Sequence, residues 1–152
     1  MEEHGRIMAL DVGARRVGVA LCDPTQTLCA PYTTLHATPE LALFARLVAI
    51  VRAEEVIGVV VGMPLTLSGE VGPQAKLIEA FVVRLRPVIA PPIVTFDERL
   101  TSVEAERMMR ELGLKPEQRK ARIDEVAASI ILQDFLDSRR YARPDAREPE
   151  HD

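Results

Sequence analysis

Ile7-Met8-Ala9-Leu10-Asp11-Val12-Gly13-Ala14-Arg15-Arg16-Val17-Gly18-Val19-Ala20-Leu21-Cys22 is the stretch on which the fold turns. Ile7–Val12 is an apolar run broken only by Asp11, and Val17–Cys22 is a second such run. Gly13-Ala14-Arg15-Arg16 between them is a turn. Apolar runs that do not alternate with polar residues, joined by so short a connection, predict a hairpin whose strands are buried on both faces. A carboxylate at the end of the first run is then out of place, because acids belong in solvent unless they are paired or bound to metal.

Outward from the hairpin, Thr27–Thr34 has a weaker strand pattern with Pro31 inside it, which suits a peripheral third strand. Pro39–Glu55 carries Leu41, Phe44, Leu47, Val48 and Val51 at helical spacing, with the proline in the first turn where its missing amide is harmless. Val56–Val61 reads as a β-branched strand ending at Gly62, followed by a loop from Met63 to Gly72. Pro73–Arg86 is a helix with Leu77, Ile78, Phe81, Val82 and Leu85 as its inner face, and Pro92–Phe96 is the next strand. This alternation of strand and helix predicts an α/β domain, a sheet with parallel pairing covered by helices. Thr101–Leu112 has a capping box in Thr101 and Glu104 and a stop at Gly113. A polar loop, Lys115–Arg122, and a last helix, Ile123–Ser138, complete a domain over residues 1–138. Residues 139–152, charged and without apolar periodicity, are expected as a flexible tail.

The chain has 152 residues, 47% hydrophobic and 28% charged, which suits one soluble domain with its own core. A net charge of -4 argues against a protein that coats nucleic acid. A catalyst that gathers carboxylates around a metal can still be acidic overall. Cys22 and Cys29 read as plain buried thiols, not as a disulfide framework. The first residues are acidic where a secretory signal is basic, and no apolar run is long enough to span a bilayer, so the expected setting is the cytoplasm, away from membranes.

Three groups of acids interrupt apolar patterns. Asp11 closes the first strand just before Gly13. Asp97 and Glu98 close Ile93-Val94-Thr95-Phe96, and alternation along the strand sends their side chains to opposite faces. Both faces look buried, so the residues alone leave open which acid joins Asp11. Asp124 shares the stripe of Ala127, Ala128, Ile131 and Phe135 on the last helix. Taken singly, Asp11 is also a turn former and Asp124 an N-terminal helix acid favoured by the macrodipole. Taken together, carboxylates from two strands and a helix suit Mg²⁺ or Mn²⁺, hard ions that support phosphodiester cleavage without a His or Cys nucleophile. His4, His36 and His151 show no zinc-ligand spacing.

Leu10-Asp11-Val12-Gly13-Ala14-Arg15-Arg16-Val17-Gly18-Val19-Ala20, Val61-Gly62-Met63-Pro64-Leu65, Asp97-Glu98-Arg99-Leu100-Thr101 and Ile123-Asp124-Glu125-Val126-Ala127-Ala128 resemble the YqgF/RuvX family, in the family's order. The resemblance implies a ribonuclease-H-like fold, a mixed five-stranded sheet flanked by helices. It also implies a metal-dependent nuclease, described in that family both as maturing the 5′ end of precursor 16S ribosomal RNA and as resolving Holliday junctions. It carries the catalytic, metal-binding acids onto Asp11, Glu98 and Asp124, with Asp97 in reserve. Thr101-Ser102 stands where the family often has Thr-Thr.

Arg15, Arg16, Arg99, Arg119, Lys120 and Arg122 flank the three acids and are candidates for phosphate contacts. Aromatic residues make up only 4% of the chain, which speaks against a base-stacking platform. RNA is the favoured partner and branched DNA the alternative; a resolvase requires a two-fold homodimer, whereas an RNA nuclease can act as a monomer. Two other readings are a non-catalytic domain that binds RNA or the ribosome, and half of an actin-like ATPase suggested by Asp11-Val12-Gly13. The second leaves the other acids unexplained.

Overall fold

Arg6–Val12 (β1) and Arg16–Cys22 (β2), seven residues each, form the antiparallel hairpin that the two apolar runs predict. The computed structural model describes residues 1–64, 72–98, 107, 109–111 and 113–142. Cys29–His36 (β3) adds antiparallel to β2, and as the edge strand it tolerates Pro31. Val56–Pro64 (β4) and Ile93–Glu98 (β5) add in parallel on the other side, so the sheet runs β3-β2-β1-β4-β5. Glu40–Ala53 (α1) and Pro73–Leu85 (α2) make the crossovers, and Pro116–Ala142 (α3) packs on β1, β2 and β3. The carboxyl ends of β1, β4 and β5 share one edge, where open parallel sheets place their sites.

The two faces carry different cores. Met8, Leu10, Val17, Val19, Val59 and Val61 join Leu43, Phe44, Leu47 and Ile50 of α1 and Ile78, Phe81, Val82 and Leu85 of α2. The rings of Phe44 and Phe81 meet edge to face at 5.6 Å. Opposite them, Ile7, Ala9, Ala20 and Val60 meet Ala128, Ile131, Leu132 and Leu136 of α3.

Several boundaries differ from expectation. Leu41 and Leu77 are 85% and 67% exposed, and Leu43 and Ile50 fill the inner face of α1 in addition to Phe44 and Leu47. The segment 116–122, expected as loop, is the beginning of α3: Glu, Gln, Arg, Lys and Ala are strong helix formers, and this turn has no apolar stripe to reveal it. The helix also runs to Ala142, past the expected end at Ser138. There Arg139 donates to the Met1 carbonyl at 2.8 Å and stacks on Phe135, and Arg140 donates to the Gln26 carbonyl at 3.1 Å. Residues 143–152 lie outside the described residues, as do most of the predicted third helix and residues 65–71 of the Met63–Gly72 loop. The predicted stop is there: Gly113 has φ +79°, its N–H donates to Arg110 and that of Leu114 to Met109, a Schellman ending.

Among the described residues, no helix is long and apolar enough to cross a membrane. Cys22 and Cys29 are free thiols opposite one another on β2 and β3, and burial pushes both thiols up, Cys29 to about 12.

Candidate functional site

One row of residues crosses three strands at the sheet edge: Asp11 on β1 is the register partner of Gly18 on β2, which is the partner of Thr34 on β3. In antiparallel pairing, residues directly opposite share a face, and this one is covered by α3. Each member of the row meets α3 differently. Gly18 has no side chain, and a Cβ there would run into the backbone carbonyl of Asp124. Thr34 Oγ1 donates to Glu125 Oε1 at 3.1 Å. Asp11 faces Asp124 closely enough for the two charges to interact. Glycine at position 18 therefore lets the helix backbone rest on the strand and brings the second carboxylate to the first.

Asp124 lies more than two turns inside α3, which removes its reading as an N-terminal acid held by the macrodipole. Glu125 is fixed on its other oxygen by Arg122 at 3.1 Å. Arg16, on the same face of β2 as Gly18, donates from Nε to Asp124 Oδ2 at 2.6 Å. Asp11 has no such partner among the described residues. Burial, and then the charge on Asp124, push its carboxyl up from 3.8 to about 6.

β5 brings Met63 opposite Asp97 and Pro64 opposite Glu98. Phe96 meets Phe135 of α3 with ring centroids 5.8 Å apart, whereas Ile93 belongs to the core under α1 and α2. Alternation therefore turns Asp97 away from the face on which Phe96 meets α3. Asp97 is exposed. The side chain of Glu98 lies outside the described residues, so among those described the site is the pair Asp11 and Asp124, short of a complete ligand set of three. A divalent cation suits this pair: hard carboxylate oxygens are the right donors, and a cation offsets both the burial of Asp11 and, after it, the repulsion from Asp124.

The arginines fare unequally. Arg15 is exposed on the β1–β2 turn, with no side-chain partner among the described residues. Arg16 and Arg122 are tied to Asp124 and Glu125 but remain about half in solvent. Arg119 donates to the Leu114 carbonyl at 2.8 Å. Arg99 and the side chain of Lys120 lie outside the described residues. Sequence reasoning missed Gly18, Thr34 and Glu125. A glycine inside an apolar strand was the available signal for the first, since it often marks a close backbone approach.

The family model described as "RuvX: Holliday junction resolvase" matches residues 5–138. The chain belongs to the RuvX family. It is 60% identical over 138 residues to a protein of Roseiflexus sp. (strain RS-1) named "Putative pre-16S rRNA nuclease", covering 91% of this chain and 98% of that one. A protein of the same name from Chloroflexus aurantiacus is 54% identical over 134 residues, 88% of each chain. Among solved structures, the chain resembles Thermus thermophilus RuvC in complex with a Holliday junction substrate, with a TM-score of 0.58 and 15% identity, covering 91% of this chain and 98% of RuvC. A second RuvC structure gives 0.53 at 13% identity, covering 88% and 95%. At such identities the likeness concerns the fold, and it agrees with the ribonuclease-H-like architecture expected from the sequence. RuvX relatives are nucleases by name, and phosphodiester hydrolysis is the chemistry of the family.

Proposed function

We propose that this RuvX chain is a divalent-metal-dependent nuclease that processes the 5′ end of precursor 16S ribosomal RNA in the cytoplasm, using Mg²⁺ or Mn²⁺ held by Asp11, Glu98 and Asp124. The observation that carries the reading is the contact of α3 with Gly18, which sets Asp124 against Asp11 at the edge of the sheet. A bound divalent ion activates water for attack on phosphorus and steadies the leaving oxygen. The residues supply the rest. Asp11 is ionised and fit to act as ligand above about pH 6, and holds a proton below it. Glu125, gripped by Thr34 and Arg122, fixes the turn of α3 that carries Asp124. Arg15, exposed on the turn that follows Asp11, is placed to meet a phosphate. The preference for RNA rests on the names of the relatives at 60% and 54% identity. A Holliday junction is the second substrate, favoured by the description of the family.

The test is cleavage of a structured precursor RNA, a single strand and a four-way DNA junction by one preparation in Mg²⁺ or Mn²⁺. RNA cleavage is expected to fall about 10³-fold or more in Glu98→Gln, and by less than about tenfold in Asp97→Asn. Equal losses would refute the assignment of position 98. Preferential cutting of the junction by a dimer would favour the resolvase, and no cleavage of any substrate by the wild type would favour a binding domain.

A further inference from the structure

Arg16 occupies an awkward place for a metal nuclease. Its Nε holds Asp124 Oδ2 at 2.6 Å, on one of the carboxylates assigned to the ion. Guanidinium and divalent cation compete for the same oxygen. Yet the Arg16 side chain is 51% exposed, so its guanidinium can swing into solvent, and an ion pair with so exposed a member is weak. Arg15, its neighbour in the chain, is equally cationic and exposed but has no carboxylate partner among the described residues. The pair of arginines thus differs in one respect relevant to the site: one is tied to a proposed ligand.

We propose that Arg16 is an exchangeable counter-ion, which holds Asp124 before a divalent cation arrives, yields the oxygen to it, and then turns its freed guanidinium to a phosphate of the bound nucleic acid. The main chain of Arg16 is fixed by pairing with His36 on β3, so the exchange is a rotation of the side chain alone. A planar fork that fits a carboxylate fits a phosphate as well. Among the described residues Asp11 has no cation partner, so an ion that displaces Arg16 from Asp124 serves both carboxylates at once. Metal and nucleic acid then assist each other: the cation frees Arg16 for phosphate, and by reciprocity a phosphate that occupies Arg16 favours retention of the cation.

The proposal rests on the metal-nuclease reading, and its test separates the two. Calorimetric titration with Mn²⁺, without nucleic acid, is expected to show about fivefold or greater tightening in Arg16→Gln. Arg15→Gln, which removes the same charge but no carboxylate partner, should change affinity less than about twofold. Fluorescence anisotropy with a labelled RNA stem supplies the other half, using Ca²⁺, which takes the same oxygen ligands. With Ca²⁺, Arg16→Gln should weaken binding about tenfold and lower the salt slope by about one. With EDTA it should bind as the wild type does, since Arg16 is then engaged with Asp124. Equal Mn²⁺ affinities in the two variants, or the same loss of RNA binding in EDTA as in Ca²⁺, would overturn the exchange. Failure of the wild type to take up Mn²⁺ would overturn the metal reading and the exchange with it.

Discussion

Toward α1 and α2 the sheet presents Met8, Leu10, Val17, Val19, Val59 and Val61, while toward α3 it presents Ile7 and Val60 among the smaller Ala9, Gly18, Ala20 and Gly62. Large side chains keep two helices at ordinary packing distance and bury much apolar area. Small ones let a single helix come down on the strands: at Gly18 the backbone of Asp124 fills the space of a missing Cβ, and at Gly62 a Cβ would lie 2.7 Å from Ile131. Stability is concentrated on the first face and the candidate chemistry at the rim of the second. The difference teaches that the site depends on how closely α3 approaches, and only indirectly on how much it buries.

Paired substitutions can break that contrast. Leu47→Ala empties a fully buried position under α1 and should cost about 2–5 kcal/mol in urea unfolding while leaving cleavage below the melting range nearly unchanged. Gly18→Ala should cost less, about 1–3 kcal/mol, because α3 can lift. Its cleavage activity should nevertheless fall by about 100-fold or more, since lifting α3 separates Asp124 from Asp11. If Gly18→Ala lost stability and activity in the same proportion as Leu47→Ala, the division of labour between the faces would be wrong.

The same contrast explains what could be read from the sequence. The β1–β2 hairpin and the parallel crossovers follow from apolar runs and their punctuation, which report burial directly. Leu41 and Leu77 fit a helical period but fall outside the buried arc, because period alone does not say how wide a stripe the sheet will cover. The first turns of α3 carry helix propensity without an apolar stripe, so a pattern of burial passes over them. At Asp97-Glu98 alternation separates the two acids but cannot say which side α3 takes; the pairing of Phe96 with Phe135 supplies that. Gly18 announces a close approach but not by what.

An acid site without its cation carries a cost in stability. Asp11 titrates near 6 in the folded chain against 3.8 for the ordinary carboxylate, so the folded state binds the proton more tightly than the unfolded state. The sign follows: the folded state loses stability as pH rises from about 4 through 6, and carries the full penalty above that. One unit corresponds to about 1.4 kcal/mol, and with allowance for partial exposure the penalty is about 1–2 kcal/mol. In EDTA at pH 8, Asp11→Asn should therefore be more stable than wild type by about that amount, and near pH 4 the difference should almost vanish. Saturating Mn²⁺ should raise the stability of the wild type but hardly that of the variant. A variant less stable than wild type at pH 8 would mean that Asp11 is a structural acid.

The smallest effect isolates the edge of the second face. Thr34 joins β3 to Glu125 through one hydrogen bond, and Glu125 keeps Arg122 when that bond is lost. Thr34→Val preserves shape and β-propensity, so it removes the bond with little else, and should cost about 1 kcal/mol. Activity should fall only a few-fold, because Gly18 still seats Asp124. The attribution is checked by a double-mutant cycle with Glu125→Gln on unfolding free energy, where a coupling of about 0.5–1 kcal/mol is expected. Zero coupling would mean that β3 does not help to hold α3. The approach of the helix would then be set by Gly18 and the core beneath Ala128 and Ile131 alone, and the site would depend on two strands of that row instead of three.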